Sequence, residues 1–219
     1  MKYKAIIFDM DGTIIDTEHI WQEATRQVIV NRGVVYTQEM RDELHRRKQG
    51  HALHQSSLIM KEVAGLRDDA VTLSYEKAAI ADALFEEGIR FIQGFEDFHA
   101  QAVALNLKTG VATNATDQTV AITDRKLNLR KFFGEHIYHI GHVENRGKPN
   151  PALYLLAARE LGVTPAECLV IEDSANGIVA AKAAGMYCFG INTAGTPELL
   201  KHADAVINGY HEIDLSALL

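Results

Sequence analysis

Ala5-Ile6-Ile7-Phe8-Asp9-Met10-Asp11-Gly12-Thr13 is the stretch on which the reading of the whole chain turns. Its first four residues form a short apolar run, β-branched at Ile6 and Ile7, which stops abruptly at two acidic residues and a glycine. A run apolar on both faces is the pattern of a strand buried inside a parallel sheet. Comparable runs recur at residues 109–113, 169–171, 188–191 and Ala205–Ile207, and amphipathic stretches separate the later ones. This alternation predicts βαβ units. Helix start and stop signals punctuate the second half: Asn150-Pro151 with Gly162 beyond it, Ser174 with Gly185 beyond it, and Thr196-Pro197 opening a further helix.

Between residues 16 and 90 no comparable strand run occurs, and apolar residues such as Ile20, Ala24 and Val28 recur at helical spacing. The fold class expected is therefore α/β, a Rossmann-like parallel-sheet core with an inserted all-helical domain. The core comprises 1–15 and 91–219, and the insertion comprises 16–90. A chain of 219 residues with 47% hydrophobic and 23% charged residues has the composition of a globular protein with a substantial core. Lys and Arg number 22 against 29 Asp and Glu, a formal charge of −7, which argues against a nucleic-acid partner. The N-terminal apolar run is shorter than a signal-peptide core, and no stretch reaches the ~20 apolar residues of a membrane span. A cytoplasmic protein without membrane contact is expected, a monomer by default. Cys168 and Cys188 each lie in an apolar segment and read as buried, reduced thiols rather than as a disulfide or metal site.

Ligands of an open parallel sheet bind beyond the carboxyl ends of its strands. Those positions carry Asp9-Met10-Asp11-Gly12-Thr13, Thr113-Asn114 and Glu172-Asp173, and a loop supplies Gly147-Lys148-Pro149. In an extended chain the period of two puts Asp9 and Asp11 on the same side. Two carboxylates so close repel, which favours either a retained proton or an intervening cation. Mg²⁺ takes carboxylate and carbonyl oxygens, and Asp173 could complete such a site. These residues suit phosphoryl transfer. Asp9 would attack phosphorus, and Asp11 would protonate the leaving oxygen and then deprotonate a water. Lys148, Thr113, Asn114 and the N–H groups of the turn at Gly12 would stabilise the transferring charge.

Together these segments resemble the haloacid dehalogenase superfamily. Residues 8–13 are similar to its first motif, Thr113-Asn114 to its second, Lys148 in Gly-Lys-Pro-Asn-Pro to its third, and Ile171-Glu172-Asp173-Ser174-Ala175-Asn176-Gly177 to its fourth. The resemblance implies that Asp9 is the nucleophile and Asp11 the acid/base. It also implies Mg²⁺ bound by the Asp9 carboxylate, the Asp11 carbonyl and Asp173, with Glu172 close by. Asp rather than Ser at position 9 points to phosphoryl transfer, and Asp11 points away from the dehalogenase branch. The insertion resembles the helical cap of the branch that holds β-phosphoglucomutase and sugar-phosphate phosphatases, where the cap closes over the site and reads the leaving group. Glu18, Trp21, Gln49, Gly50 and His51 are the cap residues expected to meet substrate. Asp16-Thr17-Glu18-His19-Ile20-Trp21 departs from the mutase, which carries a His where Trp21 aligns, and is similar instead to the hexose-phosphate phosphatases. The expected function is Mg²⁺-dependent hydrolysis of a small phosphorylated metabolite, with sugar phosphates favoured and a phosphomutase as the alternative. A receiver-type signalling module uses related residues, but it is about half this length and places its acidic pair before the acceptor Asp.

Other features read as structural. His51 and His54 could meet a polar substrate, although on an exposed helix they are solvated. His136, His139 and His142 are evenly spaced in a segment that reads as a strand, which would scatter them over two faces and make no metal site. Trp21 and Phe85 are expected to pack within the insertion.

Overall fold

Residues Ala5–Phe8 form a strand, β1, in which every side chain is buried. The computed structural model describes residues 2–48 and 53–218. After β1 the chain runs through α1 (Glu18–Val30), α2 (Gln38–Lys48), α3 (Leu53–Ala64), α4 (Ala70–Glu87) and α5 (Phe95–Ala104). Then follow β2 (Lys108–Ala112), α6 (Asp117–Leu127), α7 (Arg130–Phe133), β3 (Ile137–Tyr138), α8 (Ala152–Glu160), β4 (Cys168–Glu172), α9 (Ala175–Ala183), β5 (Tyr187–Ile191), β6 (Ala205–Ile207) and α10 (Leu215–Leu218). The six strands make one parallel sheet in the order β3-β2-β1-β4-β5-β6. This is the doubly wound order, and its direction reverses between β1 and β4, the place where such sheets open a crevice for ligands. In register, Phe8 lies opposite Val111 of β2 and Ile171 of β4.

The chain divides into two compact units, Met1–Asp16 with Ile89–Leu219, and Thr17–Gly88. One side of the sheet packs on α8 and α9 through Ile7, Val170, Leu153, Ala157, Ile178 and Ala181. An aromatic cluster forms around Phe8, whose ring meets Phe95, Phe98 and Phe133 edge-on at 5.7–6.2 Å and Tyr210 at 6.5 Å. Burying a side chain such as Phe8 contributes about 1.5–3 kcal/mol, and this cluster anchors the strand that ends at Asp9. His99 belongs to the same cluster. Its Nε2 lies 3.0 Å from Thr109 Oγ1, and burial holds its pKa below the ordinary value. The second unit is helical, with a core of Val28, Ile29, Leu44, Met60 and Leu73. There the Asp69 carboxylate caps α4 by accepting the Val71 and Thr72 N–H groups, both at 3.1 Å. The fold is thus an α/β Rossmann-like core interrupted by an all-helical insertion.

Local signals account for several element ends. Asn150 Oδ1 accepts the Ala152 N–H at 3.0 Å at the start of α8. Ser174 Oγ accepts the Gly177 N–H at 3.1 Å at the start of α9, and Gly185 ends that helix at φ +77°. Thr196-Pro197 opens only a 3₁₀ turn, Pro197–Leu200, because Ala203 and Asp204 must already turn the chain back into β6. A second correction concerns the histidines. The strand ends at Tyr138, and Ile140–Val143 is a 3₁₀ turn, in which residues three apart eclipse. His139 and His142 therefore lie ring against ring with centroids 3.9 Å apart, rather than on opposite faces. Cys168 and Cys188 are buried free thiols. Among the described residues no helix is long and apolar enough to cross a membrane.

Candidate active site

Asp9 follows β1 directly, and its N–H still donates to the Ile171 carbonyl at 3.0 Å, so the strand ladder fixes its main chain. Thr113 follows β2 and donates its N–H to the Tyr138 carbonyl at 2.9 Å. Glu172 closes β4. Because β1 lies between β2 and β4, these residues end side by side at one edge of the sheet. Lys148 reaches them from the loop before α8. It is only 4% exposed, and its Nζ donates to Asp9 Oδ1 at 2.5 Å and to Glu172 Oε2 at 2.7 Å. The Asn114 side chain holds the Lys148 backbone, accepting its N–H at 2.8 Å and donating to its carbonyl at 3.2 Å. Gly147 permits this clamp, since a Cβ there would fall 2.5 Å from Asn114 Oδ1. The Asn114 amide, expected to face a phosphate, also positions Lys148.

Glu172 is bonded through both carboxylate oxygens. Oε2 accepts from Lys148 and, at 2.6 Å, from the Tyr154 hydroxyl, while Oε1 accepts from the Ser174 N–H at 3.1 Å and the Ser174 hydroxyl at 2.7 Å. Gly177 makes room for it, because a Cβ on Gly177 would overlap the carboxylate. Asp9, Glu172 and Asp173 each offer an oxygen within 4.8 Å of the others. The turn after β1 is set by Gly12 at φ +77°, where a Cβ would come 2.7 Å from Asp173 Cγ. Glycine serves twice here, allowing the left-handed backbone and the close approach of Asp173. Thr193 Oγ1 donates to the Gly12 carbonyl at 2.7 Å and Tyr210 OH to the Thr13 carbonyl at 2.9 Å, which pins the turn from the C-terminal part of the chain.

Charge at this edge is unbalanced. Burial and then Glu172 push the Asp9 pKa up to about 8, against the pull of Lys148. Burial, Glu172 and Asp9 likewise raise Asp173 well above the usual carboxylate range. Burial works against the charge of Lys148, yet Asp9 and Glu172 together carry its pKa above the ordinary lysine value. Burial also opposes ionisation of Glu172, but the Lys148 charge and the hydrogen bonds from Lys148, Tyr154 and Ser174 bring its pKa below normal. With all three carboxylates ionised, the one ammonium would leave negative charge for a hard divalent cation to neutralise, and the donors are all oxygen. The set fits Mg²⁺. Asp9 and Asp173 are the stronger candidates within it, since the four hydrogen bonds to Glu172 already occupy both of its oxygens.

A family model described as haloacid dehalogenase-like hydrolase matches residues 3–185. The chain belongs to the haloacid dehalogenase-like hydrolases. It is 31% identical over 183 residues to the phosphorylated carbohydrates phosphatase of Thermotoga maritima, covering 84% of this chain and 82% of that one. It is also 31% identical over 188 residues to the fructose-1-phosphate phosphatase YqaB of Escherichia coli, covering 84% and 94%. A crystal structure of CbbY from Rhodobacter sphaeroides in complex with phosphate is similar with a TM-score of 0.75 and 28% identity, over 99% of each chain.

In this haloacid dehalogenase-like hydrolase the residues expected at the strand ends divide by role. Asp9, Lys148, Glu172 and Asp173 converge. Asp11 is not one of the three grouped carboxylates, but its charge adds to the raised pKa of both Asp9 and Asp173, and its backbone pairs with that of Ile15 in the turn. Buried Thr113 accepts the Ala115 N–H on its hydroxyl at 3.0 Å. In the helical unit, Glu18 Oε1 accepts from Gln22 at 3.0 Å and lies 2.9 Å from His45 Nδ1. Trp21 packs edge-on against Phe85 at 6.0 Å. Gln49, Gly50 and His51 lie outside the described residues, and His54 is exposed. Among the described residues the histidines of the β3 segment form no metal cluster. Instead His139 Nδ1 accepts the Gly141 N–H at 3.2 Å and His142 Nδ1 accepts the His139 N–H at 3.1 Å. Sequence reasoning passed over Tyr154 and Lys77. Lys77 is buried in the helical unit, with Nζ donating to Ser56 Oγ at 2.6 Å and lying 5.5 Å from the centre of the Trp21 ring. The one hint for Lys77 was its place amid the apolar spacing of α4, and for Tyr154 a phenol amid the apolar residues of α8.

Proposed function

We propose that this hydrolase is a phosphatase acting on a small phosphorylated carbohydrate through an aspartyl-phosphate at Asp9. The observation that carries this reading is the buried Lys148 ammonium held between Asp9 and Glu172, beside Asp173, at the point where the sheet order reverses. An Asp9 oxygen attacks phosphorus, forming the acyl-phosphate bond while the bond to the sugar oxygen breaks, and Asp11 gives that oxygen its proton. Asp11 then takes a proton from a water that attacks the same phosphorus, which frees inorganic phosphate and restores the Asp9 carboxylate. Lys148 stabilises the charge on the transferring group, and N–H groups of the turn at Gly12 assist. Mg²⁺, held by Asp9, Asp173 and the Asp11 carbonyl with Glu172 adjacent, would neutralise charge on the phosphoryl oxygens when bound. The carbohydrate class is supported by the names of the two phosphatases similar to this chain. Residues 17–88, inserted between the nucleophile and Thr113, are assigned the part of a cap that selects the leaving group.

The test is phosphate release from a panel of sugar phosphates and other small phosphomonoesters, with Mg²⁺ and with a chelator. Mg²⁺-dependent release that is fastest with sugar phosphates is expected. No release from any ester, or release at the same rate in chelator, sinks the assignment.

A further inference from the structure

Tyr154 is among the largest fully buried side chains of the protein. Phenylalanine would fill nearly the same space without bringing a polar group into the interior, so the hydroxyl calls for an account of its own. It donates to Glu172 Oε2 at 2.6 Å, and the same oxygen accepts Lys148 Nζ at 2.7 Å. Lys148 Nζ also stands 4.7 Å from the centre of the Tyr154 ring. The ammonium is shared between two carboxylates, 2.5 Å from Asp9 Oδ1 and 2.7 Å from Glu172 Oε2. Whatever draws on the charge of Glu172 Oε2 weakens its hold on Lys148 and leaves more of the ammonium to Asp9. The two Ser174 donors serve Oε1, so the Tyr154 hydroxyl is the donor that competes with Lys148 for Oε2.

We propose that Tyr154 is a positioning residue whose hydroxyl, acting through Glu172, aims the Lys148 ammonium at Asp9. Being fully buried it touches no substrate, and the ring adds a cation–π contact that keeps Lys148 over it. The consequence for rate rests on the phosphatase assignment; the consequence for Lys148 does not.

Tyr154→Phe removes the hydroxyl and keeps the ring. With ¹⁵N-labelled lysine, the buried Lys148 ammonium is followed by NMR and identified by its absence in Lys148→Arg. Its signal is expected to move in Tyr154→Phe while the other lysine signals stay in place, and an unmoved signal overturns the proposal. In phosphate release Tyr154→Phe is expected to lower kcat about tenfold, as for loss of one hydrogen bond to a buried charge, with KM unchanged within about twofold. The same substitution made in Glu172→Gln is expected to have no further effect on kcat, because Tyr154 acts only through that carboxylate. Equal losses in the two backgrounds, the mark of a packing role, overturn the proposal, as does an unchanged kcat in Tyr154→Phe. If the wild type releases phosphate from no ester, it is the function that fails, and the Lys148 signal alone then decides the role of Tyr154.

Discussion

Gly177→Ala adds one methyl group to α9, and two effects of opposite sign meet there. Alanine is the better helix former by about 0.8–1 kcal/mol, so propensity alone predicts a more stable protein. The added Cβ, however, would lie 2.5 Å from Glu172 Oε1 and closer still to the rest of that carboxylate. An exposed glutamate would swing aside at little cost. Glu172 is 1% exposed and holds Lys148, Tyr154 and Ser174, so moving it breaks a buried ion pair and leaves the buried Lys148 ammonium to Asp9 alone. Disrupting a buried pair costs about 3–5 kcal/mol. The helix gain offsets at most about 1 kcal/mol of this, which leaves a net loss of roughly 2–4 kcal/mol. At about 2–4 °C per kcal/mol for a chain of this size, thermal denaturation should show Tm lowered by roughly 5–15 °C. Circular dichroism or calorimetry with chelator present measures it without reference to substrate. A Tm equal to or above that of the wild type would refute the view that Gly177 exists to admit the Glu172 carboxylate.

Three further outcomes follow from the same site. Asp9→Asn should lower phosphate release by about 10³-fold or more, as for loss of a nucleophile, and more than a few per cent of wild-type activity would remove Asp9 from that role. The Asp9 pKa, raised from 3.8 to about 8 in the folded protein, makes the fold bind the proton more tightly than the unfolded chain. Its stability contribution is complete below the unfolded value and is lost as pH rises towards about 8. Chelated protein should therefore melt lower at pH 8.5 than at pH 6, and Mg²⁺ should raise Tm more at the higher pH; a Mg²⁺ shift that is equal or smaller at pH 8.5 counts against the cation site. Gly12→Ala must adopt φ +77° and displace Asp173, so Mg²⁺ activation should require at least about tenfold more cation, and an unchanged half-activating concentration would show that Asp173 does not depend on Gly12.

How far the molecule could be read in advance depended on sequence distance. Strand β1 and its acidic tip lie within nine consecutive residues, so apolar run, turn glycine and carboxylates could be seen together. Glu172-Asp173 was legible for the same reason. The direction in which Glu172 points was not, because its partners Lys148 and Tyr154 come from 24 and 18 residues away and a loop intervenes. Asn114 illustrates the same limit. Its residue type suggested a donor to phosphate, and only the packing of the Gly147 loop revealed that its amide grips Lys148 across 34 residues. The histidine triplet misled for a local reason. A period of three scatters side chains on a strand and stacks them on a 3₁₀ turn, and nothing in Tyr138-His139-Ile140 marks where one gives way to the other.

An acidic protein that handles an anionic substrate poses an electrostatic problem, and the site resolves it through the order in which charges are fixed. Lys148 and Glu172 are locked in place, the one by Asn114 and the other by Tyr154 and Ser174. That pair is neutral overall. Charge on Asp9 and Asp173 would have nothing else in the cluster to balance it, and both resist ionising as a result. Ionised together they would repel a phosphate dianion, whereas a divalent cation held by them would offset that charge and attract phosphate. The raised pKa of Asp9 and the proposed binding of Mg²⁺ are on this view one property. A cation held by Asp9 and Asp173 would favour the ionised form of both carboxylates, which is the form the proposed attack by Asp9 requires.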